Sequence, residues 1–112
     1  MTEPAHVTTH VLDAADGVPA QGVSVVLVRE RDGVTLASRV TDAQGRITDL
    51  GPARLEPGVY RLTFDTASYF ARGGRPTFYP RIDIAVDIRS ADEHYHVPIL
   101  LSPFAYTTYR GS

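Results

Sequence analysis

The sequence predicts an all-β fold, an antiparallel sandwich or barrel, on three observations. Short segments rich in Val, Ile, Thr and Tyr alternate apolar with polar residues, the period-two pattern of strands that bury one face. Between them, nine glycines and eight prolines recur at intervals, as in Asp16-Gly17, Asp32-Gly33, Gln44-Gly45, Gly51-Pro52, Pro57-Gly58 and Gly73-Gly74. That is the turn spacing of an all-β domain. A single stretch breaks the alternation and reads as one short helix.

Strands are expected near 6–12, 22–30, 34–41, 45–49, 59–65, 78–89, 94–101 and 104–110, with the helix near 66–72. In the first strand Val7, Thr9 and Val11 form a core face, opposite His6, Thr8, His10 and Leu12. The second is apolar on both sides, with Val23, Val25 and Leu27 against Ser24, Val26 and Val28, and so belongs in the middle of a sheet. Residues 34–40 make its hairpin partner across the turn Glu30-Arg31-Asp32-Gly33. Tyr60, Leu62 and Phe64 alternate with Arg61, Thr63 and Asp65. The helix has Asp65 or Thr66 to cap its start and Gly73 to stop it. Ile82, Ile84, Val86 and Ile88 share a dry face opposite Arg81, Asp83, Ala85, Asp87 and Arg89. Core faces are likewise expected for Tyr95, Val97, Ile99 and Leu101, and for Phe104, Tyr106 and Thr108.

Composition narrows the function. A chain of 112 residues is one domain. It buries roughly two-thirds of its unfolded surface and has little interior left for a private cavity. A small-molecule site is therefore expected to be shallow or shared between subunits. The net charge of −2, without a Lys/Arg cluster, makes nucleic acid a poor partner. The absence of Cys excludes a disulfide framework, a zinc ribbon and a thiol nucleophile. Residues 1–6 show neither the basic nor the apolar region of a signal peptide. The longest apolar run, Val97-Pro98-Ile99-Leu100-Leu101, falls far short of the roughly 20 residues that span a bilayer. A cytoplasmic location away from membranes is the expectation.

Chemistry concentrates on the faces opposite the core. His10 with Leu12, His96 with Leu100, and Thr107 with Tyr109 would make one mixed surface if their strands were neighbours. An imidazole titrates near neutrality, which suits His10 and His96 to proton transfer. His94 and His96 have the spacing for sharing a metal, with His10 as a third ligand. No acidic residue or Cys accompanies them, so no metal is assigned. His6, near the chain end, is expected to be solvated. Arg46, in the turn Thr41-Asp42-Ala43-Gln44-Gly45-Arg46, offers a planar donor fork for a carbonyl or anionic ring. The ending Tyr109-Arg110-Gly111-Ser112 stops just past a strand, with a phenol at Tyr109 and a hydroxyl at Ser112.

These residues resemble a known family. Thr9-His10-Val11-Leu12-Asp13, Gly17-Val18-Pro19-Ala20, Gly22-Val23, Gly45-Arg46, Tyr69-Phe70, Phe78-Tyr79-Pro80, His94-Tyr95-His96-Val97-Pro98 and Leu101-Ser102-Pro103 are similar to the transthyretin-related 5-hydroxyisourate hydrolases. The terminal Tyr109-Arg110-Gly111-Ser112 resembles the tetrapeptide that separates those enzymes from transthyretin, the hormone carrier. Asp42, Ile99 and Phe104-Ala105 depart mildly from the family pattern.

The resemblance implies a transthyretin-like sandwich of two four-stranded sheets and one helix. It also implies a homotetramer, a dimer of dimers whose clefts form where dimers meet. The implied reaction is ring opening of 5-hydroxyisourate by water in urate breakdown, without metal or organic cofactor. His10, Arg46, His96, Tyr109 and Ser112 would be catalytic, and His10, Arg46, Tyr109, Arg110 and Gly111 would bind substrate. A carrier of small aromatic ligands is the alternative reading. A structural cell-surface sandwich would not need this His/Arg/Tyr set.

Overall fold

The computed structural model describes residues 5–112; the reading of a leaderless start concerns in part residues 1–4, which lie outside them. Two sheets pack face to face. The first contains β1 (Val7–Asp13), β2 (Val18–Pro19), β5 (Arg46–Ile47), β8 (Tyr95–Ser102) and β9 (Ala105–Thr108). Its order is β2-β1-β8-β9, with β5 also paired to β1. The second contains β3 (Ser24–Arg29), β4 (Val34–Val40), β6 (Gly58–Phe64) and β7 (Ile82–Ile88), in the order β4-β3-β6-β7. The helix α1 (Thr66–Arg72) follows β6.

The alternation expected from sequence sets the core. Val7, Thr9 and Val11 of β1 and Tyr95, Val97, Ile99 and Leu101 of β8 are buried against Val25, Leu27, Tyr60, Leu62 and Phe64 of the facing sheet. Each large apolar side chain removed from water stabilises the fold by roughly 1.5–3 kcal/mol. The doubly apolar β3 is central, flanked by β4 and β6. Asp65 caps α1 by accepting from the Ser68 N–H at 3.1 Å, and the Gly73 N–H closes the other end on the Phe70 carbonyl at 3.1 Å. Phe70 anchors the helix to the core.

Several expectations are corrected. The first sheet has five strands, because the two-residue β2 lies within what reads as a turn. It pairs Val18 and Pro19 with Asp13 and Leu12, and its proline, which lacks an N–H, suits a sheet edge. β1 and β8 run parallel, whereas an antiparallel fold was expected. Alternation reports the face a side chain occupies, not the direction of the neighbouring strand. Residues 78–81 are not strand. There the carbonyls of Tyr79 and Pro80 accept from the Thr66 hydroxyl and the Ala67 N–H, tying this segment to the start of α1. Phe104, Tyr106 and Thr108 have no buried face, since β9 is an exposed outer strand.

His6 is not solvated; it is 3% exposed. Its Nε2–H donates to the carbonyls of Glu93 at 2.6 Å and Ser90 at 3.1 Å, and its Nδ1 accepts from the Leu55 N–H at 2.9 Å. One ring thereby joins the start of β1 to two loops distant in sequence. In His6→Phe the ring volume remains but these backbone groups lose their partner. We expect a stability loss of about 1–3 kcal/mol, as for a buried group left unsatisfied, seen as a lower urea midpoint. An unchanged midpoint would contradict the role given to this ring.

Candidate functional site

Four neighbouring backbone segments assemble the site on the outer face of the first sheet. His10 of β1 lies opposite Arg46 of β5, Thr8 of β1 lies opposite His96 of β8, and His96 in turn bridges to Gly111 beyond β9. Residues paired across strands present their side chains on the same face. Arg46, His10, Thr8 and His96 therefore share the outer face, while Thr9, Ile47 and Val97 go to the core.

The turn before β5 fixes Arg46 and His10 together. The Asp42 carboxylate accepts from the N–H groups of Gln44 and Arg46, both at 2.9 Å. Gly45 has φ +76°, and a Cβ there would collide with the Val11 carbonyl oxygen, so glycine is required on both counts. The turn directs the Gln44 carbonyl toward β1, where it lies 2.8 Å from His10 Nε2. A carbonyl can only accept, so His10 carries its proton on Nε2. In the neutral ring Nδ1 is left as an acceptor.

His96 is held differently. Its Nδ1 lies 2.8 Å from the Thr8 hydroxyl, which also lies 2.8 Å from His94 Nε2. Among the described residues, His96 Nε2 has no hydrogen-bond partner. Burial, followed by the charges of Arg46, His94 and His10, holds the His96 imidazole below its ordinary pKa. The ring is therefore favoured in its neutral form, and in the tautomer that carries the proton on Nδ1 its Nε2 can act as a general base.

A cleft of about 310 Å³ collects Thr8, Arg46, Thr48, His94, His96 and Ser112. Beside it, a cavity of about 400 Å³ between the two sheets is lined by Ile84, Val86, Tyr109 and Arg110, and His96 belongs to both walls. The Arg110 guanidinium lies 4.5 Å from the Tyr95 ring centroid and 3.9 Å from the Glu93 carboxylate. Arg46, His96 and Ser112 thus converge in one cleft, His10 adjoins Arg46 through strand pairing, and Tyr109 and Arg110 line the neighbouring cavity. Gly111 touches the site by close approach. A Cβ on it would come within 2.6 Å of His96 Cδ2 and 3.1 Å of Pro98 Cγ.

Thr8 and Thr48 were not singled out in the sequence. For Thr8 the signal existed, because alternation puts it on the His10 face. In the sequence His94 stands out only by its metal-ligand spacing to His96. It shares a hydroxyl with His96 instead, and among the described residues no three His, Cys, Asp or Glu are grouped to hold a metal ion.

The sequence and the fold both match a known family. The HIUase/Transthyretin family matches residues 7–111. The mouse protein "5-hydroxyisourate hydrolase" is 42% identical over 116 residues, covering 99% of this chain and 98% of its own. The solved structure of Klebsiella pneumoniae 5-hydroxyisourate hydrolase superposes with TM-score 0.86 at 46% identity, covering 95% of this chain and 92% of that one. Transthyretin from Sparus aurata superposes with TM-score 0.89 at 34% identity, covering 96% and 97%. With a family match across nearly its whole length, relatives above 40% identity and the same two-sheet fold, the chain belongs to the HIUase/transthyretin family.

Proposed function

We propose that this protein hydrolyses 5-hydroxyisourate, adding water to the ring amide to give 2-oxo-4-hydroxy-4-carboxy-5-ureidoimidazoline in urate breakdown. The observation that carries the reading is His96, its Nε2 without a partner among the described residues, in one cleft with the Arg46 guanidinium, where burial holds the imidazole below its ordinary pKa. A carrier of aromatic ligands has no use for a base poised beside a cation, and relatives above 40% identity bear the hydrolase name.

In this mechanism His96 Nε2 takes a proton from water as the oxygen attacks the ring carbonyl. Arg46 holds the substrate oxygens and offsets the negative charge that develops. His10 orients the ring through Nδ1, since its Nε2–H is engaged by Gln44. The Ser112 hydroxyl positions the substrate. Tyr109 and Arg110 act through the backbone that presents Gly111 and Ser112. We further place the cleft in a homotetramer, a dimer of dimers meeting across the outer face of β1 and β8. Partly exposed Leu12 and exposed Leu100 on that face support this reading. A cysteine-free chain needs no oxidising compartment, which suits the cytoplasm.

Purified protein added to freshly generated 5-hydroxyisourate should speed its decay, followed by ultraviolet absorbance. No acceleration, with ligand binding retained, would support the carrier instead. Gly111→Ala pushes a methyl group against the His96 ring, and a misplacement on the order of 1 Å can cost about 10²-fold in rate. We expect kcat/KM to fall accordingly with the melting temperature little changed. Wild-type turnover in that variant would remove Gly111 from the site.

A further inference from the structure

We propose that Thr8, His94 and His96 form a proton relay, in which the Thr8 hydroxyl couples the tautomers of the two imidazoles and moves the positive charge of hydrolysis from His96 to His94. This rests on His96 being the base and adds two residues to its machinery.

The relay follows from counting protons. A hydroxyl has one proton, yet Thr8 Oγ1 lies 2.8 Å from a ring nitrogen of each histidine. It can donate to only one, so the other must donate to it. Thr8 is 6% exposed, so water is a poor substitute for either partner. Two arrangements satisfy the chain. In the first, His96 Nδ1–H donates to Thr8, Thr8 donates to His94 Nε2, and His96 Nε2 is bare. In the second one proton has entered at His96 Nε2 and the others have each shifted one place, so that His94 Nε2–H donates to Thr8 and Thr8 donates to His96 Nδ1.

Hydrolysis converts one into the other and back. As the water oxygen bonds to the ring carbonyl carbon, its O–H bond breaks and the proton goes to His96 Nε2. The Nδ1 proton of His96 passes to Thr8 Oγ1, and the Thr8 proton passes to His94 Nε2. His96 ends neutral and His94 becomes the imidazolium. When the ring C–N bond breaks, His96 Nε2–H gives its proton to the leaving nitrogen, and the other two protons return along the chain. No proton is gained or lost over the cycle.

Electrostatics favour this placement of charge. His96 is partly buried and is surrounded by Arg46 of β5, His10 of β1 and His94 ahead of its own strand, so a cation there is opposed. His94 is exposed, and water solvates its charge.

Thr8→Val keeps the shape and removes the hydroxyl, whereas Thr8→Ser keeps the hydroxyl. We expect Thr8→Val and His94→Gln each to lower kcat on the order of 10- to 100-fold with KM little altered, as when a catalytic imidazole loses the partner that sets its tautomer. Thr8→Ser should restore kcat to within a few-fold, and the double variant should be no worse than either single one. In mixtures of light and heavy water the wild-type kcat should curve with isotope fraction, as several protons move together, and Thr8→Val should give a straight line.

Wild-type kcat in Thr8→Val, or a straight line in the wild type, would overturn the relay. If Thr8→Val fails to fold, the exposed His94→Gln carries the same test. His96→Asn separates the two ideas. If it keeps normal turnover, the base assignment itself fails; if it is inactive while Thr8→Val and His94→Gln are normal, only the relay fails.

Discussion

His96→Asn is expected to lower kcat/KM for 5-hydroxyisourate by about 10²–10⁴-fold, the usual contribution of a positioned general base. Asn keeps a polar side chain of similar reach to Nδ1, so the bond to Thr8 can persist while the basic nitrogen is lost. Arg46→Ala is expected to cost about 10²–10³-fold, as for other donors that face a developing oxyanion. His10→Asn should cost less and act mainly on KM, because Gln44 already occupies one of its nitrogens. The pH profile separates the two histidines. Wild-type kcat/KM falls on the acid side as the base protonates, and that limb should persist in His10→Asn and vanish from the residual rate of His96→Asn. Near-normal turnover in both variants would refute base catalysis by imidazole in this protein.

The second large effect concerns stability, at the end of β1 away from the cleft. Asp13, 1% exposed, accepts from the Arg75 guanidinium at 2.6 Å, the Tyr69 hydroxyl at 2.8 Å and the N–H groups of Asp16 and Ala15 at 3.0 and 3.1 Å. Its carboxylate therefore ties β1 to α1 and to the segment after it. The Arg75 guanidinium also stacks over Phe70, 4.9 Å from the ring centroid. Burial alone would push the Asp13 carboxyl up. The hydrogen bonds from Arg75, Asp16 and Tyr69 outweigh it and hold the group below the ordinary aspartate range. Burial, reinforced by the hydrogen bond to Asp13, pushes the Tyr69 phenol up to about 12.

Asp13→Ala leaves Arg75 and Tyr69 without their acceptor. Breaking a buried pair costs about 3–5 kcal/mol. Because the Arg75 side chain is 26% exposed and retains some water, we expect the lower end, about 3 kcal/mol. The pH dependence follows from the direction of the shift. A depressed folded-state pKa gives stability that is fully present above the unfolded value of ~3.9 and is lost as pH falls through the folded value. Urea unfolding between pH 2 and 6 should show this acid loss in the wild type and a flatter profile in Asp13→Asn. Equal slopes in the two proteins would refute the assignment.

The sequence by itself determined which faces of β1, β3, β6, β7 and β8 are dry, the extent of α1, and the outward placement of His10 and His96. These depend on the local geometry of an extended or helical chain, which repeats every two or 3.6 residues and is written in the order of residues. The tertiary structure decided everything that depends on a neighbour remote in the chain. It set β1 parallel to β8, so that Thr8 meets His96. It buried His6 among loops some 49 and 87 residues away. It brought Gly111 against the His96 ring. Alternation tells a side chain which way to point but not what it will meet. The partner is set by strand order and register, which only the packing of the two sheets fixes.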